Sequence, residues 1–138
     1  MTDRNTKVFV DSNVLIYLID NTSSLKKEKV ENLLLPSFLI STQVVAENIS
    51  VCFRKLKLDK ATTYDHARGL LKRFSVVTIT PQVLLRAFDI ALKYSVSHWD
   101  SIIIATALTY NCNTLFSEDM QHNLKIENVL QIINPFKA

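Results

Sequence analysis

Glycine is nearly absent from this chain, since Gly69 is the only one in 138 residues. The Walker A loop and the dinucleotide-binding fingerprint both need several glycines, because their backbone must approach a phosphate closely. Neither loop can form here. The sequence therefore excludes nucleotide-cofactor chemistry built on those loops.

Long apolar runs and cysteines are also scarce. No stretch of eighteen apolar residues exists, so no transmembrane helix is expected. The polar N-terminus argues against a signal peptide. Cys52 and Cys112 are the two cysteines, and we interpret both as reduced thiols of a cytoplasmic protein.

The three histidines, His66, His98 and His122, lack Cys or His partners at the spacing of metal ligands. A structural role is predicted for each of them. The chain has the size of one ordinary domain, and 48% hydrophobic residues are enough to exclude a disordered protein. Without repeats, linkers or low-complexity segments, residues 1–138 are expected to form one domain.

Four acidic residues stand out by their surroundings. Asp11, Glu47 and Asp100 each stand alone in a long uncharged, mostly apolar stretch, and Asp119 follows the short apolar run 114–116. An ionised carboxylate beside a core is costly unless it is paired or binds a metal. No basic residue is near the first three in the sequence. A cation from outside is the simplest solution, so the chain is a candidate metal-dependent enzyme.

Short apolar strands alternate with helices along the chain, which indicates a parallel sheet covered on both faces. The apolar runs predict strands at 7–10, 38–40, 76–79, 114–116 and 129–133. Capping residues predict helix starts at Ser24, at Ser41 or Thr42, and at Asp59, Thr80 and Ser97.

The predicted sheet brings the four acids together. Ligands of parallel sheets bind beyond the carboxyl ends of the strands, and Asp11 and Asp119 each lie just past a strand. Glu47 lies early in the helix after the second strand, and Asp100 lies in the first turn of its own helix. Two charges about 5 Å apart repel by ~3 kcal/mol at an effective dielectric of ~20. Such a cluster must stay partly protonated or bind a cation, and all-oxygen ligation favours Mg²⁺ or Mn²⁺.

Four segments of the chain resemble the motifs of PIN-domain ribonucleases, in the order that the family has. They are Val8–Tyr17, Ser41–Glu47, His98–Ala107 and Thr114–His122. The last two are the most specific and are similar to the toxin branch often called VapC. The resemblance implies an α/β, PIN-like three-layer fold, with a short, mostly parallel sheet of four to five strands flanked by helices.

The same resemblance implies a Mg²⁺-dependent (or Mn²⁺-dependent) endoribonuclease, the toxin of a type II toxin–antitoxin pair. RNA phosphodiester bonds would be hydrolysed by a metal-activated water held by an acidic cluster. It implies that the catalytic and metal-binding residues are Asp11, Glu47, Asp100 and Asp119, with Asn13 and Ser117 as supporting polar residues. Asp119 is preferred to Glu118 mainly on the resemblance. The implied partners are RNA, a cognate antitoxin and a second copy of the chain in a cytoplasmic homodimer, without a membrane.

The balance of charge suits a polyanionic substrate. Apart from the four acids, sixteen Lys and Arg stand against nine Asp and Glu, which leaves a basic exterior. The densest basic region predicts contacts to the RNA backbone through Arg54, Lys55, Lys57, Arg68, Lys72 and Arg73. The alternative interpretation of this region is a solvated pair of helix faces.

Other classes of protein also carry an acid after the first strand. Aspartyl-phosphate phosphatases need a second acid two residues later, where this chain has Asn13. A receiver-type signalling domain would have adjacent acids after its first strand, whereas Asp11 is unaccompanied. A PIN fold that binds RNA without cleaving it stays open as an alternative, although the complete acidic set speaks against it.

Overall fold

Strands and helices alternate along the part of the chain that is described. The computed structural model describes residues 6–137, so the polar residues 1–5, on which the expectation of no signal peptide rests, lie outside it. The strands are β1 (Val8–Val10), β2 (Leu39–Ser41), β3 (Ser75–Val77), β4 (Thr114–Phe116), β5 (Lys125–Ile126) and β6 (Leu130–Ile133). The helices are α1 (Ser12–Leu15), continued by a 3-10 turn (Ile16–Leu18), α2 (Ser24–Leu33), α3 (Thr42–Arg54), α4 (Lys60–Arg73), α5 (Pro81–Tyr94) and α6 (His98–Thr109).

Polar side chains cap the helices α3 to α6 where the sequence predicts them. Each cap accepts a hydrogen bond from the backbone N–H three residues further on, at 2.8 to 3.3 Å, and these caps are Ser41, Asp59, Thr80 and Ser97. The cap of α2 is Ser23, whose hydroxyl accepts from the Lys26 N–H, and the prediction of Ser24 is wrong by one residue. Two adjacent serines have the same capping chemistry, so only the backbone conformation decides between them.

The sheet has the order β3-β2-β1-β4-β6-β5. All neighbouring strands are parallel except β5 and β6. The expected parallel α/β sheet is therefore confirmed, with β1 and β4 side by side at its centre. Val10 pairs with Phe116 at the carboxyl ends of these two strands.

The sheet has six strands, and the expectation of four to five is wrong because β5 was not predicted. This strand contains only Lys125 and Ile126 and pairs antiparallel with β6. Glu127, Asn128 and Val129 join the two strands, and the first two have φ values of 53° and 56°, the pattern of a tight hairpin turn. Two residues carry no alternation of apolar and polar side chains, and the turn lacks the glycine that usually marks such a hairpin.

The helix α6 is the most deeply buried helix of the fold. Its residues from Ser101 to Leu108 are all buried, and α5 packs against it through a small apolar cluster that includes Val83, Ala87 and Ile102. Asp100 precedes this buried run directly. The acid is therefore held at the end of a rigid element, and its position follows from the packing of the helix behind it.

No helix described between residues 6 and 137 is long and apolar enough to cross a membrane.

Candidate active site

Asp11 occupies the centre of the carboxyl edge of the sheet. It follows β1 directly and is only 4% exposed. One carboxylate oxygen accepts from the Ser12 N–H at 2.7 Å, and the other accepts from the Ser117 hydroxyl at 2.9 Å and from the Asn13 amide at 3.4 Å. Since Ser117 follows β4, the two central strands together fix the orientation of this carboxylate.

Glu47 reaches the same edge from the second turn of α3. Its Oε1 accepts from the Ser12 hydroxyl at 3.0 Å, and its Oε2 accepts from the Gln43 amide at 3.3 Å. Gln43 and Glu47 are four residues apart and so share one face of the helix. Ser12 thus links the acid of α3 to Asp11, which follows β1.

Asp100 enters the site from the first turn of α6. Its N–H donates to the Ser97 hydroxyl at 3.1 Å. The Gln43 amide also donates to the Trp99 carbonyl at 3.4 Å, which ties the start of α6 to the face of α3 that carries Glu47.

A cavity of about 340 Å³ lies at this edge and is open to solvent. We call it the acidic pocket. Its wall contains six acids, one lysine and five further residues: Asp11, Ser12, Asn13, Ile16, Tyr17, Asp20, Glu47, Val51, Lys55, Asp100, Glu118 and Asp119.

The acids of the pocket raise one another's pKa. The pKa of Asp11 is raised from 3.8 to about 7, mainly by burial and further by the charges of Glu47 and Asp100, while the bonds from Ser117 and Ser12 act against the rise. Burial also raises the pKa of Glu47, and the charge of Asp100 contributes. For Asp100 burial is again the main cause of a raised pKa, with a further contribution from Asp119. Each of these acids therefore lies within electrostatic reach of another.

The four carboxylates fit a hard cation that keeps most of its water. Within residues 6–137, no group of three or more His, Cys, Asp and Glu side chains is positioned to hold a metal ion together. A site with three or more direct protein ligands is therefore not preformed. Mg²⁺, however, retains several waters and is usually bound through one or two carboxylates. The oxygen-only donors and their mutual repulsion match that mode of binding.

The structure brings together most of the residues that the sequence singles out. Asp11, Glu47, Asp100, Asp119 and Asn13 line the acidic pocket, and buried Ser117 supports Asp11 from behind. Of the six basic residues predicted to contact RNA, only Lys55 lines the pocket. The others are exposed and lie outside it: Arg54, Lys57, Arg68, Lys72 and Arg73.

Four further polar residues of the site were not predicted. Ser12 and Gln43 hold Glu47, whereas Tyr17 and Asp20 line the pocket wall. The helical spacing from Asn13 to Tyr17 and from Gln43 to Glu47 could have found two of them. Ser12 and Asp20 carry no such signal.

A buried amide supports the turn after β1. Asn48 is fully buried on α3, and its Nδ2 donates to the Ser12 carbonyl at 3.1 Å and to the Val44 carbonyl at 3.4 Å. Its Oδ1 lies 2.9 Å from Nε2 of His66 on α4, which therefore carries a proton. This contact agrees with the structural role predicted for His66, and burial lowers the pKa of that imidazole.

The fold and the site together define an α/β domain with an acidic pocket at the carboxyl edge of a parallel sheet. Residues 8–125 match the family model of the PIN domain. The chain belongs to the PIN domain family.

Several solved structures with the same fold are described as proteins of toxin–antitoxin systems. VapBC-1 from nontypeable Haemophilus influenzae is 22% identical, with a TM-score of 0.70, over 96% of this chain and 100% of that one. A toxin–antitoxin complex from Klebsiella pneumoniae is 20% identical, with a TM-score of 0.69, over 96% of this chain and 100% of that one. VapC20 from Mycobacterium tuberculosis, a toxin that cleaves the sarcin–ricin loop, is 16% identical, with a TM-score of 0.68, over 82% and 92%. At these identities the likeness concerns the fold. No curated protein sequence matches the chain significantly.

Proposed function

We propose that this PIN domain is a Mg²⁺-dependent endoribonuclease and the toxin of a type II toxin–antitoxin pair. The observation that carries the proposal is the electrostatic coupling of four carboxylates in one pocket, in which Asp11, Glu47 and Asp100 all have raised pKa values. Such a cluster gains most from a divalent cation, and the basic exterior around it suits a polyanionic substrate. The fold likeness to VapC toxins supports the choice of RNA.

The residues proposed to bind the metal are Asp11, Glu47, Asp100 and Asp119, one or two of them directly and the others through waters that the ion retains. Bound Mg²⁺ (or Mn²⁺) would supply charge neutralisation at the phosphodiester and activation of water as the nucleophile. Asp11 holds a proton in the metal-free protein up to a pH of about 7 and must release it before it can act as a ligand. Ser117 and Ser12 then keep its carboxylate oriented through bonds that favour the ionised form.

Basic side chains would bind the RNA backbone around this pocket. Lys55 is the basic residue in the pocket wall, and among residues 6–137 no acid lies within ion-pair distance of it. It is free to contact a phosphate next to the scissile bond. The exposed basic residues of α4, Arg68, Lys72 and Arg73, would contact the backbone further along the strand.

The proposed partners are a cognate antitoxin and a second copy of the chain. The likeness to toxin–antitoxin complexes supports the antitoxin. A homodimer is supported by large apolar side chains that are 47–86% exposed on α5 and at the start of α6, namely Leu85, Phe88, Leu92 and Trp99. The cytoplasm is the proposed compartment, which agrees with the free, buried thiols of Cys52 and Cys112.

Incubation of the purified protein with RNA tests the activity directly. We expect cleavage in Mg²⁺ or Mn²⁺, none in EDTA, and none with Asp100→Asn in either condition. If the wild-type protein binds RNA but leaves it intact in both metals, the alternative of an RNA-binding PIN domain is correct and the nuclease proposal is wrong.

A further inference from the structure

Two adjacent acids, Glu118 and Asp119, both line the acidic pocket but have different surroundings. Oε1 of Glu118 accepts from the Tyr17 hydroxyl at 2.6 Å, and Oε2 forms an ion pair with Nζ of Lys26. Asp119 is exposed, and no residue between 6 and 137 donates a hydrogen bond to its carboxylate. One acid is thus occupied by the protein, and its neighbour is available to a ligand.

The backbone of Glu118 is held as firmly as its side chain. Its N–H donates to Oδ1 of Asn13 at 3.0 Å, and its carbonyl accepts from the amide of Asn134 at 3.2 Å. These bonds connect the loop after β4 to α1 on one side and to the segment after β6 on the other. The peptide that leads into Asp119 therefore has little freedom to rotate.

The ammonium group of Lys26 has several contacts besides Glu118. Its Nζ lies 5.3 Å from the ring centre of Tyr17 and 5.1 Å from that of Phe136, and it also donates to the Tyr17 hydroxyl at 3.3 Å. Two aromatic faces and a carboxylate give this ammonium group several favourable contacts. A metal ion that used Glu118 as a ligand would have to compete with all of them.

We propose that Glu118 is a positioning residue, which Lys26 and Tyr17 hold so that the loop presents Asp119 to the acidic pocket, and that it is not a metal ligand. We call the three side chains of Tyr17, Lys26 and Glu118 the Glu118 latch. The inference rests on the proposed metal-dependent function of the same pocket. It assigns different roles to two acids that are neighbours in the sequence.

The direction in which cation affinity changes when Lys26 is removed distinguishes the latch from a purely electrostatic effect of its charge. Lys26 is a positive charge near an acidic pocket, so its removal alone would strengthen the binding of a cation. If the latch positions Asp119, loss of Lys26 instead releases the loop and weakens cation binding. Outer-sphere groups of this kind typically contribute about tenfold or more to metal affinity.

Mn²⁺ binding to the full chain, followed by electron paramagnetic resonance, tests the inference without any cleavage reaction. We expect Lys26→Met and Glu118→Gln each to weaken Mn²⁺ binding by about tenfold, and the double variant to be no weaker than either single one. Lys26→Arg should bind Mn²⁺ like the wild type, because a guanidinium also pairs with a carboxylate. Asp119→Asn should lose more affinity than any latch variant.

Arg86→Met is the matched control. It breaks the ion pair between Arg86 and Glu127, whose side chains are as exposed as that of Lys26, and neither residue lines the acidic pocket. Its Mn²⁺ affinity should equal that of the wild type. Tyr17→Phe is a milder latch variant that keeps the ring under Lys26, and it should weaken binding in the same direction if Glu118→Gln does not fold.

Tighter Mn²⁺ binding by Lys26→Met overturns the latch. An unchanged affinity in Glu118→Gln and Tyr17→Phe also overturns it, while the proposed function would stand as long as the wild type binds Mn²⁺ and cleaves RNA. Absence of Mn²⁺ binding by the wild type would overturn both proposals.

Discussion

The hydroxyl of Ser12 donates to Oε1 of Glu47 at 3.0 Å, and this single bond joins the acid of α3 to the turn after β1. The Ser12 N–H also donates to Asp11 at 2.7 Å. The same hydroxyl also lies 3.4 Å from that oxygen of Asp11. One residue therefore orients two of the four acids, Asp11 mainly through its backbone and Glu47 through its side chain.

Ser12→Ala removes only the side-chain part of this link. The hydroxyl bond lowers the pKa of Glu47, so without it Glu47 should be harder to ionise and less well oriented. We expect Mg²⁺ affinity and RNA cleavage to fall by about tenfold. Ser12→Thr, which keeps a hydroxyl, should retain most of the activity. Wild-type kinetics and metal affinity in Ser12→Ala would show that the bond does not position Glu47.

Asp100→Asn distinguishes an acid of a metal site from a structural acid of a helix. Carboxylates that converge repel one another when no metal is bound. We therefore expect the variant to be at least as stable as the wild type in EDTA, yet inactive and without most of the Mg²⁺-dependent stabilisation. For the wild type, about 10 mM Mg²⁺ and a dissociation constant of ~1 mM give a gain of ~1.4 kcal/mol.

Thermal melts of both proteins in EDTA and in Mg²⁺ measure these differences. An acid that only interacts with the helix dipole would instead lose ~0.3–1 kcal/mol on neutralisation, with or without metal. Asp89→Asn, a change of the same kind at an exposed position of α5, is the matched control and should keep the full response to Mg²⁺. If Asp100→Asn is destabilised in EDTA and is stabilised by Mg²⁺ as much as the wild type, Asp100 is not an acid of the metal site.

The raised pKa of Asp11 predicts how the stability of the metal-free protein depends on pH. Between its ordinary value of 3.8 and about 7, the folded chain keeps a proton that the unfolded chain has lost. Stability in EDTA should therefore decrease as the pH rises through this window, by up to ~1.4 kcal/mol per pH unit, and level off above it. Glu47 and Asp100 contribute with the same sign, because their pKa values are also raised.

Denaturant melts across this pH range check the prediction, with Asp11→Asn as the control. The free energy of unfolding of the variant should fall less steeply with rising pH, since the main titrating group is gone. Mg²⁺ should bind more tightly as the pH rises towards 7, because binding releases the proton of Asp11. Equal slopes in the wild type and in Asp11→Asn would contradict the assigned pKa.

Asn48 should be the most sensitive supporting residue of the site. Asn48→Ala leaves the Ser12 carbonyl and the His66 imidazole without their partner, and a buried group that loses its bond costs about 1–3 kcal/mol. His66→Ala should cost less and should add little in an Asn48→Ala background, because both changes remove the same bond. Urea melts of the two single variants and the double variant measure this coupling, and strictly additive effects would contradict it.

Lys55 should contribute to RNA binding through charge. Lys55→Ala is expected to weaken binding and to reduce the dependence of log affinity on log salt by about one. Binding can be measured in EDTA, so that the RNA stays intact. Lys93→Ala, an exposed lysine on α5 outside the acidic pocket, should leave the slope unchanged. If both variants lose the same amount of RNA affinity and of salt dependence, the effect comes from the net charge of the protein and not from a contact of Lys55.

Local chemistry predicts much of this protein from its sequence. Helix caps act over three residues, so Asp59, Thr80 and Ser97 could each be assigned from their neighbours, and the cap of α3 could be narrowed to Ser41 or Thr42, of which the structure has Ser41. The isolation of Asp11, Glu47 and Asp100 in apolar stretches predicts a site because a charge beside a core needs compensation. Once the sheet is taken as parallel, the convergence of the acids follows from the rule that ligands bind at the carboxyl edge.

The tertiary structure decides what depends on contacts between distant parts of the chain. Lys26 has the sequence surroundings of a solvated lysine, yet it pairs with Glu118, which is 92 residues away. That pair occupies one of two adjacent acids and leaves Asp119 open to a ligand. Composition cannot distinguish these neighbours, because the difference between them lies in which side chains the fold places around each carboxylate.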